Sequence, residues 1–268
     1  MIHPTAIVSS RTILPSDVQV GPYAVIEDGA QIGAGCIIGS HVVITRYVTL
    51  GERNIISPGA VLGAEPQDVS FNPETFSRVS IGSNNRIREH CTIHRSALPN
   101  GTTQVGNHCF LMAGSHVGHD ATVGDGVILA NGTMLGGHAK IGDGVFLGGG
   151  AAVHQFVRVG RLAICQGNSA ITRGVPPFCM AAGVNKLRSL NIVGLRRAGI
   201  SPLARASIKS AFLLVFRSRY NITQALQESQ KREWEPEAKE FLEFISAPGK
   251  RGLCSPERRM KEATDAAE

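Results

Sequence analysis

Aromatic residues are scarce: only 5% of the 268 residues are Phe, Tyr or Trp, with a single Trp. A broad globular core normally draws heavily on aromatic area, so this composition points to a narrow core filled with Val, Ile, Leu and Ala. No apolar run is long enough to span a bilayer, and no signal peptide precedes Ile2, which already belongs to a repeat. The expectation is a soluble, cytoplasmic protein. The net charge of +6, from 27 basic and 21 acidic residues, is modest and does not call for a nucleic-acid partner. Six cysteines follow no disulfide or metal-binding spacing.

What is present is a six-residue period. Aliphatic residues recur at Ile2, Val8, Leu14, Val20, Ile26 and onward to Leu62, and again from Ile81 to Ile171, with Cys165 taking one slot. A small residue often lies two positions before, as with Ala24, Cys36, Cys91, Cys109 and Ala121, and Gly often follows, as with Gly118 and Gly142. Six fits neither a helix nor a simple alternating strand, but it fits a short strand followed by a tight corner. The repeat therefore predicts a parallel β-helix in which the small and aliphatic residues point inward and the residue between them points out. Glycine is expected at corners because it tolerates positive φ. Three strands close one coil, so residues 18 apart are stacked neighbours.

Two stretches lose the period, near 63–80 and 96–103, and read as loops extruded from a corner. Loops on a rigid solenoid commonly overlie its binding face. The predicted domains are a β-helix over 1–185, a helical region over 186–254 and a mobile tail over 255–268. Within the helical region Ser201-Pro202 is a helix start, a second helix is predicted over Thr223–Arg232 and a third over Pro236–Ile245.

Stacking at 18 residues per coil places His119 beside Gly137 and His138, and near His154 and Gln155 on the next coil. Each histidine alone is usually a solvated surface residue. A column of them, flanked by glycines, is a better candidate for a cleft that admits substrate. His116 lies on the same coil as His119. Asp120 follows His119 directly, and a carboxylate holding one ring nitrogen leaves the other free as a general base. No Ser or Cys nucleophile motif accompanies the pair, which favours direct transfer to a hydroxyl. Gly137 can offer its N–H to an oxyanion.

The stretch SHVGHDATVGD at Ser115–Asp125, with IREHCTIHR before it, TMLGGH and AAVHQF after it and NIVGLRRAGIS at the end of the repeat, resembles the acyl-carrier-protein-dependent UDP-N-acetylglucosamine O-acyltransferases that begin lipid A biosynthesis. The resemblance extends from His3 to Leu253. It implies a left-handed β-helix, a homotrimer and transfer of a 3-hydroxyacyl group from acyl carrier protein to the sugar 3-hydroxyl. It also implies no cofactor beyond the carrier's phosphopantetheine and no metal. His119 matches the general base, Asp120 its orienting partner and Gly137 the oxyanion donor. His116, His138, His154, Gln155 and Asp68 match substrate contacts, and Asn191 and Arg197 match nucleotide contacts. Gly167, with Ile164 nearby, matches the position that sets acyl-chain length; a glycine there implies a long donor. The basic residues from Lys186 to Arg219 are expected to steer the acidic carrier protein.

The chain departs from the family pattern at Ser70, Val193 and Ala198, where charged residues are usual. An acceptor with a 3-amino group therefore stays open as an alternative. A zinc enzyme of the γ-carbonic anhydrase type, with His94, His116 and His119 as ligands, is a rival of a different class. The Asp after His119 and the helical tail favour acyl transfer. A related N-acyltransferase of the same pathway carries an extra N-terminal domain, which a repeat beginning at Ile2 lacks.

Overall fold

The computed structural model describes residues 1–247 and 249–256. Among them, strands of mostly two residues form three sheets of ten, nine and seven strands, here called faces 1, 2 and 3. The chain passes from face 1 to face 2 to face 3 in every coil, and it is a left-handed parallel β-helix. Val117 pairs with Leu135, Leu135 with Val153 and Val153 with Ile171, so the register is 18 residues. The aliphatic hexad residues are buried, as at Ile26, Ile44, Leu62, Leu111, Leu129 and Leu147. Burying each such side chain contributes about 1.5–3 kcal/mol.

Positive φ occurs at corner glycines, as expected, among them Gly114, Gly126, Gly132 and Gly144, and about as often at other residue types, including Asp120, His138 and Phe156, with φ of 60°, 59° and 65°. Gly118, by contrast, lacks positive φ, and a Cβ there would lie 2.7 Å from the Leu135 carbonyl oxygen. Hexad glycines such as this one let adjacent coils approach; positive φ is tolerated where the stacked coil fixes it.

The corner between faces 3 and 1 carries a directional ladder. Asn107 Oδ1 accepts the Ser83 N–H at 2.8 Å, Asp125 Oδ1 accepts the Asn107 N–H at 2.7 Å, and Asp143 Oδ1 accepts the Asp125 N–H at 2.8 Å. On the next coil Arg161 instead forms a two-point ion pair with Glu240 at 2.8 and 3.1 Å.

Both aperiodic stretches leave the corner between faces 2 and 3. The spacing of stacked residues rises there to 31 and then to 24. Strands cover Val61–Ala64, Arg78–Ile81, Thr92–His94 and Thr102–Val105. The loops are thus 65–77 and 95–101, shorter than the predicted spans because the ladder continues into their ends. Arg95, fully buried, organises them. Its guanidinium donates to the carbonyls of Thr75 and of Pro73, the latter at 2.9 Å, and lies over the rings of Tyr47 and Phe71. Glu65 stands 3.6 Å away.

The expected boundary at 185 is not where helices begin. Lys186–Leu190 runs antiparallel to Cys179–Ala182 and extends face 1, with left-handed Gly183 and Asn185 in the connecting turn. Helices follow as α1 (Ile192–Arg197), α2 (Pro202–Phe216), α3 (Ile222–Ser229) and α4 (Pro236–Ser246). Ser201 caps α2 through the Ala204 N–H at 3.1 Å. The helix predicted to reach Arg232 stops at Ser229, whose carbonyl accepts the Trp234 indole N–H at 2.8 Å. Phe212, Phe216 and Phe241 join α2 to α4. Ser255, predicted to begin a mobile tail, is held: its carbonyl accepts the Leu187 N–H at 3.0 Å. Positions 257–268 of that predicted tail lie outside the described residues. No described helix is long and apolar enough to cross a membrane.

Because Arg95 is the buried cation on which both loops converge, Arg95→Ala should cost about 3 kcal/mol, the scale of losing hydrogen bonds to a buried charge. Thermal unfolding would report the loss, and limited proteolysis should then cut within 65–77. Wild-type stability with an intact loop would refute the role assigned to Arg95.

Candidate active site

The corner between faces 2 and 3 is also where the histidines gather. One coil supplies His119 and Asp120, the next Gly137 and His138, and the third His154, Gln155 and Phe156. The stacking is direct: the His138 N–H donates to the His119 carbonyl at 2.9 Å, and the Phe156 N–H to the Gly137 carbonyl at 3.0 Å. The outward side of face 2 and this corner border a groove of about 530 Å³, lined among others by His94, His116, His119, Gly137, His154 and Gln155.

Adjacent side chains normally diverge, but left-handed backbone at Asp120 brings its carboxylate back beside His119. His119 Nδ1 donates to Asp120 Oδ2 at 2.8 Å. The opposite ring nitrogen, Nε2, faces Gly137: a Cβ on that glycine would lie 2.5 Å from it. Among the described residues no acceptor takes the Gly137 N–H. A ring nitrogen able to accept a proton and an unengaged backbone donor therefore share one edge of the groove.

Burial raises the Asp120 carboxyl, but hydrogen bonds from Ser96, His119 and the Ala97 N–H outweigh it and hold the group below the usual carboxylate range. His94, only 5% exposed, is pushed down to about 4, first by burial and then by the nearby charges of His116 and His119; its Nδ1 has no partner. Burial also lowers His116, which hydrogen-bonds Thr92 Oγ1 at 2.8 Å. His138 is lowered by burial, with Asp120 opposing and His119 and Lys250 reinforcing the shift. It stacks on Phe156 at 4.5 Å, and Lys250 Nζ stands over the other ring at 4.9 Å.

The remaining sequence candidates divide. His154 and Gln155 are exposed on the groove rim. Asp68 sits in the 65–77 loop next to Gln67, which lines the groove. Ser70 folds onto Asp68, its N–H and Oγ donating to Oδ1 at 2.9 and 2.7 Å, and these bonds lower the carboxyl. Asn191 is not placed at the groove. It is 5% exposed, its Oδ1 caps α1 by accepting the Gly194 N–H at 2.9 Å, and its Nδ2 ties that cap to the β-helix by donating to the Leu162 carbonyl at 2.8 Å. Arg197 is exposed in the last turn of α1. Gly167 and half-buried Ile164 belong to face 1 and its corner with face 2, away from the histidine column.

Gln67, Ser96, Phe156 and Lys250 were not legible as site residues; only Phe156, stacked at the His138 register, had a periodic signal. Among the described residues, the three-residue set with donor atoms within 4.8 Å of one another is His119, Asp120 and His138. The zinc trio considered from sequence, His94, His116 and His119, does not converge in this way. Within that set, His119 Nδ1 is engaged by Asp120 at 2.8 Å.

A three-sided β-helix with a His–Asp pair facing a glycine amide on its corner defines a hexapeptide-repeat acyltransferase. Comparison with known proteins narrows the class. A family model described as UDP N-acetylglucosamine O-acyltransferase, domain 2, matches residues 175–254, and one for bacterial transferase hexapeptide repeats matches 11–46 and 102–137. An acyl-[acyl-carrier-protein]–UDP-N-acetylglucosamine O-acyltransferase of Thermodesulfovibrio yellowstonii is 40% identical over 94% of this chain and 98% of its own length. The crystal structure of the UDP-N-acetylglucosamine O-acyltransferase from Moraxella catarrhalis is similar with a TM-score of 0.89 at 38% identity, covering 94% of this chain and 99% of that one. The Francisella novicida UDP-N-acetylglucosamine acyltransferase gives 0.90 at 31% identity, covering 97% and 95%. The chain belongs to the acyl-[acyl-carrier-protein]–UDP-N-acetylglucosamine O-acyltransferase family.

Two outcomes follow from this geometry. Gly137→Ala is compatible with the local backbone but sets a methyl against His119 Nε2. Turnover should fall roughly 10–100-fold, the scale of a 1 Å misplacement, with little change in melting temperature. Normal turnover would mean that Nε2 does not need this approach. His94 provides the second. Its folded pKa is depressed below the ordinary 6.5, so the unfolded chain binds the extra proton between pH 6.5 and 4 and stability falls as pH drops through that window. The full effect is on the order of 3 kcal/mol. His94→Gln should flatten the stability–pH curve there, and an unchanged slope would contradict it.

Proposed function

We propose that this chain transfers a 3-hydroxyacyl group from acyl carrier protein to the 3-hydroxyl of UDP-N-acetylglucosamine, the first step of lipid A biosynthesis. The observation that carries the mechanism is His119, held at Nδ1 by Asp120, with Nε2 beside Gly137. In this reading Nε2 takes the proton of the sugar hydroxyl as its oxygen attacks the thioester carbonyl. The Gly137 N–H stabilises the resulting oxyanion. The C–S bond then breaks, and the imidazolium returns its proton to the leaving thiolate. Asp120 stabilises the imidazolium between these events. No resident cofactor or metal is required.

The His116, His138, His154 and Gln155 side chains, with Asp68 and Gln67 from the loop above, are suited to holding the sugar and its diphosphate in the groove. An open Gly167 suits a long acyl chain along the face 1 corner. The six free cysteines fit a reducing compartment, in keeping with a cytoplasmic site of action.

The active unit in this reading is a homotrimer. Outward residues of face 3 are polar, including Gln31, Thr49, Gln104, Thr122 and Lys140. Faces 1 and 2 instead present apolar rows, such as Ile37, Ile55, Ile128 and Phe146 on one and Ile7, Val25, Val43 and Met134 on the other. Two apolar faces on each prism satisfy a closed three-fold ring, in which face 1 of one subunit meets face 2 of the next. The groove on face 2 then opens at the seam, which brings a neighbour's Gly167 corner or α1 within its reach.

An assay with hydroxyacyl carrier protein and UDP-N-acetylglucosamine tests the reading. Product should form, His119→Ala should lower turnover by roughly two to four orders of magnitude, and light scattering should give a trimer. Preference for a 3-amino acceptor would change the substrate; full activity in His119→Ala would overturn the mechanism.

A further inference from the structure

The Asp120 carboxylate lies between two imidazoles. Its Oδ2 is 2.8 Å from His119 Nδ1 and 3.8 Å from His138 Nε2. A carboxylate free to rotate about its Cβ–Cγ bond could serve either ring, so something must fix its orientation. That something lies in the 95–101 loop, outside the hexad pattern. Ser96 Oγ donates to Asp120 Oδ1, while the Ala97 N–H donates to Oδ2 at 3.0 Å. The serine hydroxyl also accepts the Leu98 N–H at 3.0 Å, and the other acceptor within reach of its proton, the Leu98 carbonyl, is uncharged and 3.4 Å away, which favours the carboxylate.

The serine is itself immobile. It is fully buried, its N–H donates to the Arg78 carbonyl at 3.3 Å and its carbonyl accepts Ser77 Oγ. Arg95, one residue earlier, anchors the 65–77 loop that overhangs the groove. The Asp120 backbone is fixed from the other side, its N–H donating to Thr103 Oγ1 at 2.7 Å.

We propose that Ser96 is a positioning residue for the acyl transfer: its hydroxyl pins Oδ1 so that Oδ2 stays within hydrogen-bond distance of His119 Nδ1 and does not close on His138 Nε2, 3.8 Å away. Ser96 touches neither reacting atom. It acts through Asp120 to hold the His119 ring with Nε2 in the groove, and it ties that orientation to the loops folded around Arg95. The inference rests on His119 acting as the base.

The test is a double-mutant cycle with Ser96→Ala and Asp120→Ala, assayed with hydroxyacyl carrier protein and UDP-N-acetylglucosamine. Ser96→Ala alone should lower kcat about tenfold and leave both KM values within about twofold. In the Asp120→Ala background the same change should have no further effect, because coupled residues are not additive. Melting curves of all four proteins, and a Ser96→Gly variant that also lacks the hydroxyl, separate unfolding from mispositioning. Near-normal kcat in Ser96→Ala, a loss of equal size in both backgrounds, or a loss confined to variants already unfolding at the assay temperature would overturn the role of Ser96. Full activity in Asp120→Ala would instead remove the acid–base reading beneath it.

Discussion

Every feature of this protein depends on the axial register of its coils. Backbone N–H groups of one coil donate to carbonyls of the next, as in His116 to Thr133 at 2.8 Å and Gly118 to Leu135 at 2.9 Å. These bonds fix which residues are neighbours, and a slip of one position would turn the inward aliphatic row out to solvent. Extra residues can therefore enter only by leaving the ladder and returning in phase. Both insertions do this at a single corner, so the aperiodic part of the chain accumulates over one edge of an otherwise uniform prism.

That corner combines two kinds of order. Its floor is periodic: His119, Gly137 and Gln155 stack, as do Asp120, His138 and Phe156. Its walls are not. Ser96, Ala97 and Gln67 reach the same place from loops whose paths are fixed by a buried guanidinium among carbonyls and rings. The solenoid supplies rigid spacing for the histidine column, and the loops supply hydrogen bonds that two-residue strands, with one outward side chain each, have no room to offer.

This division explains what could be read from sequence. The period alone places His119 beside Gly137 and His138, because stacking at 18 residues is arithmetic once the coil is recognised. The Asp120 contact was legible from adjacency. Arg95 and Ser96 were not, since their partners lie in loops that carry no period, and a buried arginine in a polar stretch resembles any solvated one. Asn191 shows a related limit. An Asn before Ile-Val-Gly-Leu fits a ligand contact and a helix cap equally well as a string, and within one subunit its side chain is the cap of α1. The strand Lys186–Leu190 was hidden because it pairs antiparallel, outside the repeat.

The Ser83–Asn107–Asp125–Asp143 ladder points one way along the axis, each side chain receiving an N–H from the coil made before it. A coil at this corner is thus completed only by residues that leave the ribosome later. The ladder is therefore polar, and its last member, Asp143, is followed on the next coil by Arg161, a side chain with no acceptor. Arg161 ends the series by turning to Glu240 of α4, so the open end of the corner ladder is tied to the helical region.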